Sequence, residues 1–185
     1  MSALHFSRTI TRQALFKCRG FHWSSIQQIK VGETAPSATV MLKSPGETTT
    51  ILEHFKRFNK AILISVPGAF TPSCTSTHVP SFVKLSEELK AKGVDEVACI
   101  SVNDTFVMSA WGEKLQVEGK VTLLSDPSAE ASKALGLAFD IPPLGGTRAK
   151  RAVIIFKNGV AEKVIEEPDN TTLTITHADH VIKEL

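Results

Sequence analysis

The residues best equipped to do chemistry are Pro67, Thr71 and Cys74, which stand in a Pro-x-x-x-Thr-x-x-Cys spacing. Cys74 follows a short apolar run and opens a stretch of helical periodicity. The first N–H groups of a helix have no partners within it, and the helix dipole favours negative charge at that end. A thiol placed there is drawn toward the thiolate, which is the nucleophilic form. Thr71 lies three residues earlier, so one turn can bring its hydroxyl beside the sulfur. There it can donate a hydrogen bond to a thiolate or accept one from a substrate O–H. Pro72 fixes φ one residue past Thr71, and Pro67 can screen the sulfur from bulk water. The plain alternative is a loop with a threonine N-cap and two turn prolines.

These residues need elements to hold them. Ala61 to Val66 reads as a central strand buried on both faces. From Ser73 to Lys92 the pattern is helical, with Val79, Phe82, Val83, Leu85 and Leu89 on one side and Gly93 as the stop. Glu96 to Val102 is a second core strand. Asn103-Asp104 offers a cap for a helix over Thr105 to Leu115. Val121 to Leu124 is a third strand, and Asp126-Pro127 opens a helix that runs to Gly136. Arg151 to Lys157 and Val160 to Ile165 flank Asn158-Gly159, a strong hairpin signal. Earlier, Ala38 to Leu42 and Thr48 to Leu52 pair around the turn Ser44-Pro45-Gly46-Glu47. A last helix falls near His177 to Glu184. This order is α/β, with a mixed central sheet flanked by helices. A thioredoxin-like fold fits it, as do other small α/β folds.

Composition narrows the class. The 185 residues are 42% hydrophobic and 22% charged, ordinary for one globular domain. Three cysteines exclude a disulfide scaffold. The apolar runs, such as Ala61 to Ile64, are far shorter than the ~20 residues of a membrane helix. The net charge of +2 is too weak to suggest nucleic-acid binding. That charge is unevenly placed. No acidic residue precedes Glu33, while Arg8, Arg12, Lys17, Arg19 and Lys30 crowd the first 30 residues. Without those five, the +2 becomes −3. At ~100° per residue, Arg8, Arg12 and Arg19 share one face, and Ala3, Phe6, Ile10 and Ala14 the opposite one. An arginine-rich, acid-free, amphipathic start is the pattern of an organelle transit peptide. We therefore expect a mitochondrial transit peptide over residues 1–24, a matrix location and a catalytic domain over 29–185. Cys18 would leave with the leader, and Cys74 and Cys99 would stay.

Val66-Pro67-Gly68-Ala69-Phe70-Thr71-Pro72-Ser73-Cys74 resembles the active-site loop of the peroxiredoxins, and specifically of the type II, or atypical, subfamily. His78-Val79-Pro80-Ser81-Phe82, Val97 to Asp104, Phe106 and Ala110-Trp111 extend the likeness over about residues 29 to 185. The resemblance implies a thioredoxin-like fold and a thiol peroxidase that needs no metal and no bound cofactor. It makes Cys74 the peroxidatic cysteine, attacking hydrogen peroxide or a small organic hydroperoxide and becoming sulfenic acid. It makes Thr71 the residue that hydrogen-bonds the peroxide and Pro67 its shield. The backbone N–H groups of Ser73 and Cys74 help hold the substrate. It makes Arg151 the stabilising cation, with Arg148 its near competitor. By composition alone Arg151 is a surface charge.

The sequence departs from part of that family. Animal-type members carry a resolving cysteine near the C-terminus, where this chain has Ile175. Cys99 is the remaining candidate resolver, as in plant-type members, although an apolar strand is also where unreactive cysteines lie. Otherwise thioredoxin, or glutathione with glutaredoxin, reduces the sulfenic acid directly. His78, one turn past Cys74, either tunes the thiol or makes a structural hydrogen bond. Trp111 and Phe106 are core aromatics or part of a contact between two copies, and the protein is a monomer or a homodimer. The alternative function is a thioredoxin-fold redox sensor or holdase that forms mixed disulfides with partner proteins.

Overall fold

The computed structural model describes residues 27–185. The segment expected to be a transit peptide, with Cys18, lies outside the described residues.

Seven strands form one mixed sheet: β1 (Thr39–Met41), β2 (Thr48–Thr50), β3 (Lys60–Ser65), β4 (Glu96–Ser101), β5 (Thr122–Ser125), β8 (Ala152–Lys157) and β9 (Val160–Glu166). Their order is β2-β1-β5-β4-β3-β8-β9. β3, β4 and β5 run parallel, and β8 lies antiparallel to β3. The short hairpin β6 (Ala138–Ile141) and β7 (Gly146–Ala149) stands apart from the sheet. This is the thioredoxin-like α/β arrangement expected from the order of elements.

The two faces of the central strands are covered differently. Ile62, Ile64, Val97, Cys99, Val153 and Ile155 pack under α2 (Val79–Lys84) and α4 (Thr105–Leu115), through Phe82, Met108 and Trp111. Leu63, Ala98, Ile100, Ile154 and Phe156 face the other way, toward α1 (Ile51–Phe55) and α5 (Glu130–Ala134). Burial on both sides is what their continuous apolar runs require.

Several local expectations need correction. The strand placed over Thr48 to Leu52 ends at Thr50, whose hydroxyl accepts from Glu53 N at 3.0 Å and caps α1. The single helix placed over Ser73 to Lys92 is a π-turn (Cys74–His78), then α2, then α3 (Ser86–Ala91), with a break at Leu85 (φ −93°, ψ 13°). The helix opened by Asp126 is short, because Ala129 adopts φ 57° and the regular turn begins only at Glu130. Of the pair Asn103-Asp104 it is Asp104 that caps α4, its carboxylate accepting from the N–H groups of Phe106 and Val107 at 2.9 Å. Trp111 is core, while Phe106 is 74% exposed. The chain ends in α6 (Ala178–Val181) and a final 3-10 turn. Among the described residues no helix is long and apolar enough to cross a membrane.

Candidate active site

The site forms where β3 ends. Val66 N donates to Ile100 O at 3.2 Å, carrying the pairing one residue past the strand. The chain then turns through Pro67 to Pro72. Pro67 and Gly68 are buried, while Phe70 is exposed at φ 61°. A bulky residue at positive φ is uncommon and costs energy, and such strain gathers at functional loops. The loop is pinned from within. Ala69 N donates to Asn103 Oδ1 at 3.0 Å, and the same oxygen accepts from Ser101 Oγ at 2.8 Å. Thr71 Oγ1 donates to Gly68 O at 2.8 Å.

Cys74 opens the π-turn. Such wide turns recur at functional positions. The N–H groups of Ser73 and Cys74 lie in the first turn, where no helical partner exists for them. The Cys74 side chain is fully buried.

Arg151 reaches the sulfur from the neighbouring strand. The register sets Ala152 of β8 opposite Ser65 of β3, so the preceding residue falls beside the departing loop. Arg151 Nη1 lies 3.5 Å from Cys74 Sγ. The arginine is itself only 3% exposed. Its backbone N–H donates to Asn170 Oδ1 at 3.0 Å and its Nη2 to Asn170 O at 3.3 Å. Nη1 also lies 3.1 Å from His78 Nδ1. Among the described residues no carboxylate lies within ion-pair distance of this guanidinium. Its positive charge is therefore turned on the sulfur.

His78 completes the group. Its Nε2 lies 3.1 Å from Thr176 O, and a carbonyl can only accept, so Nε2 carries the proton. The lone pair of Nδ1 then faces the arginine. Burial first, and the Arg151 charge second, lower the His78 pKa from 6.5 to about 3. The ring is neutral at physiological pH.

Arg148 does not compete for the sulfur. It donates from Nη1 to Val102 O at 3.0 Å and from Nε to Leu144 O at 3.0 Å, with Nη2 on the same carbonyl. It ties the β6–β7 hairpin to the end of β4. Cys99 sits in the middle of β4, between Ile64 and Leu123, fully buried. Burial pushes its thiol well above the usual range, and Cys74 adds to the effect.

The structure thus brings Cys74 and Arg151 into contact and sets Pro67 and Thr71 in the adjoining loop. The Thr71 proton goes to Gly68 O and not to the sulfur, which leaves the hydroxyl's lone pairs for acceptance. Sequence reading singled out His78 without deciding its role. Asn170 left no signal, because it lies in an irregular segment 19 residues beyond Arg151.

Comparison with known proteins bears on what this group of residues does. The sequence matches the Redoxin family over residues 30–182. It is 40% identical to the chloroplastic peroxiredoxin-2E-2 of Oryza sativa subsp. japonica, over 86% of this chain and 74% of that one. It is 37% identical to peroxiredoxin-2D of Arabidopsis thaliana, over 85% of this chain and 98% of that one. The chain belongs to the peroxiredoxin family. The fold agrees: the crystal structure of reduced Prx3 from Vibrio vulnificus in complex with hydrogen peroxide superposes with a TM-score of 0.80 at 39% identity, over 85% of this peroxiredoxin and 100% of that chain. Oxidized Prx3 from the same organism gives a TM-score of 0.76 at 39% identity, over 85% and 100%. This peroxiredoxin is a thiol-dependent peroxidase, and a buried cysteine beside a buried arginine is consistent with that chemistry.

Proposed function

We propose that Cys74 is the peroxidatic cysteine of a type II (atypical) peroxiredoxin that reduces hydrogen peroxide and small organic hydroperoxides in the mitochondrial matrix. The observation that carries the site assignment is Arg151 Nη1 at 3.5 Å from Cys74 Sγ, with no carboxylate paired to the guanidinium among the described residues. The Cys74 thiolate attacks the terminal peroxide oxygen. The S–O bond forms as the O–O bond breaks, two electrons pass from sulfur to peroxide, and the departing oxide takes up a proton to leave as water or an alcohol. Arg151 stabilises the thiolate and then the negative charge on the departing oxygen. Thr71 accepts a hydrogen bond from the peroxide O–H, the N–H groups of Ser73 and Cys74 steady the oxygens, and Pro67 keeps bulk water out.

The resulting sulfenic acid needs a second thiol. Ile175, 44% exposed, stands where an animal-type resolving cysteine would be. Cys99 is buried and held as the thiol, which makes it a poor nucleophile. These observations favour direct attack by an external thiol, from glutathione with glutaredoxin or from thioredoxin. A second reading, Cys99 as resolver, is favoured by its membership of the same apolar cluster as Cys74. The arginine-rich start supports the mitochondrial assignment.

The test is peroxide consumption by wild type, Cys74→Ser and Cys99→Ser, each supplied with thioredoxin or with glutathione plus glutaredoxin. Loss in Cys74→Ser alone is the expected result. Loss in both variants with thioredoxin would make Cys99 the resolver. Full activity in Cys74→Ser would remove Cys74 from its role. Import of the full chain into isolated mitochondria, with and without residues 1–24, tests the location.

A further inference from the structure

We infer that His78 is a positioning residue for the peroxidase reaction: its Nδ1 takes one hydrogen of Arg151 Nη1 and so aims the other at Cys74. The inference rests on the roles of Cys74 and Arg151 given above. A guanidinium Nη nitrogen carries two hydrogens in a fixed plane. Nη1 has two neighbours able to receive them, Cys74 Sγ at 3.5 Å and His78 Nδ1 at 3.1 Å. With one hydrogen on the imidazole, the planar fork fixes the direction of the other.

The arrangement works only if Nδ1 carries no proton, and the fold sees to that from the far side of the ring. Thr176 O, 3.1 Å from Nε2, draws the ring proton there. Thr176 is not free to drift. Its N–H and Oγ1 both donate to Glu167 Oε1 at 2.8 Å. Thr174 adds its own N–H and hydroxyl to the same carboxylate, each at 2.7 Å. Glu167, 3% exposed, also donates its backbone N–H to Arg151 O at 3.0 Å. The segment from Glu167 to Thr176 therefore brackets Arg151 twice, by its backbone and, through His78, by its guanidinium. The motif around Cys74 supplies the nucleophile, and the C-terminal segment supplies the orientation of the cation that serves it.

Asparagine and glutamine separate this role from simple packing. The Asn carbonyl oxygen reproduces the place of Nδ1, whereas the Gln amide reproduces that of Nε2. Single-turnover oxidation by hydrogen peroxide is measured for wild type, His78→Asn, His78→Gln and Arg151→Gln, with far-UV circular dichroism on each. We expect Arg151→Gln to lose about a hundredfold in rate, His78→Gln at least about tenfold, and His78→Asn to stay within about threefold of wild type. Equal behaviour of the Asn and Gln variants would overturn the inference and leave the Arg151 assignment intact. A wild-type rate in Arg151→Gln would overturn both. Nitrogen-15 spectra of the wild-type imidazole give a readout free of folding defects. We expect a bare, pyridine-like Nδ1 and a protonated Nε2 at neutral pH, and a proton on Nδ1 would overturn the inference.

Discussion

Cys99 shares with Cys74 one apolar cluster on one face of the sheet, and neither side chain reaches solvent. Shared burial does not make them partners. Cys99 is flanked by two strands, and its thiol is held protonated by its surroundings. Cys99→Ala should therefore keep turnover with glutathione and glutaredoxin. It should cost about 1 kcal/mol of stability, the order expected for a small buried group replaced by a slightly smaller one. Cys99→Ser should cost more, about 1–3 kcal/mol, because a hydroxyl buried among Ile64, Leu123 and their neighbours lacks a partner. Urea denaturation of the three proteins checks the order. A serine variant more stable than the alanine variant would contradict it.

Thr71 offers a second test at the substrate end. Its hydroxyl hydrogen is committed to Gly68 O at 2.8 Å, so the part proposed for it is to accept a hydrogen bond from the substrate. Thr71→Ser keeps the hydroxyl and should retain most of the rate of Cys74 oxidation. Thr71→Val keeps the shape and removes both the acceptor and the bond to Gly68. Its rate should fall by about ten- to a hundredfold, the size of a lost positioning hydrogen bond in a transition state. Stopped-flow oxidation of the reduced enzyme checks this, and an unchanged rate in the valine variant would exclude Thr71 from substrate binding.

Much of this was legible in the sequence, and the rest was not, for physical reasons. The core strands were legible because both of their faces are buried, which forces continuous apolar runs. Asn103-Asp104 announced α4 because such side chains can accept from the free N–H groups of a helix start, and Asp104 satisfies two of them. Asn158-Gly159 announced the β8–β9 hairpin, and both residues take positive φ, 50° and 79°. The β6–β7 hairpin was hidden because its strands are mostly half-buried and Pro142-Pro143 lies between them. At Thr50 the β-pattern runs on while its hydroxyl turns to cap a helix. The active-site loop was legible as a local motif. The contacts that hold Arg151 join residues 19 and 73 positions apart, and no local pattern encodes them.

His78 gives stability a pH dependence whose sign follows from its neutral state. Its pKa lies near 3 in the folded protein, depressed by burial and by Arg151, against 6.5 for the ordinary imidazole that the unfolded chain approaches. Between these values the unfolded state binds the extra proton. The stabilisation is therefore fully present above pH 6.5 and is lost as pH falls toward 3. From pH 7 to pH 5 wild type should lose about 2 kcal/mol on this account, and His78→Asn should lack that component. Glu167 and Asp169, whose carboxyls are both held below the usual range by hydrogen bonds from neighbouring threonines, act at lower pH and stay out of this window. Urea midpoints at pH 5, 6 and 7 for the two proteins are the measurement. Parallel curves would mean that His78 is not buried neutral.

Gly136 tests how the segment before β1 is attached. It closes α5 at φ 69°, and the backbone of Gln28 crosses directly over it. A β-carbon on Gly136 would lie 2.2 Å from Gln28 Cα and 2.5 Å from Gln28 N, so the crossing chain would have to move. Beside the crossing, Ile29 N donates to Leu135 O at 3.0 Å and the Ile29 side chain is buried in the second apolar cluster. Gly119 is a fair control, since it has φ 70° with nothing within 4 Å of the added carbon. Gly119→Ala should cost only the left-handed backbone, about 1–2 kcal/mol. Gly136→Ala should cost that and the displacement of Ile29 as well, a further ~1.5–3 kcal/mol if the side chain leaves the core. Trypsin should then cut faster at Lys30 in Gly136→Ala than in Gly119→Ala. Equal denaturation midpoints and equal cleavage in the two variants would mean that the early segment is not held at this crossing.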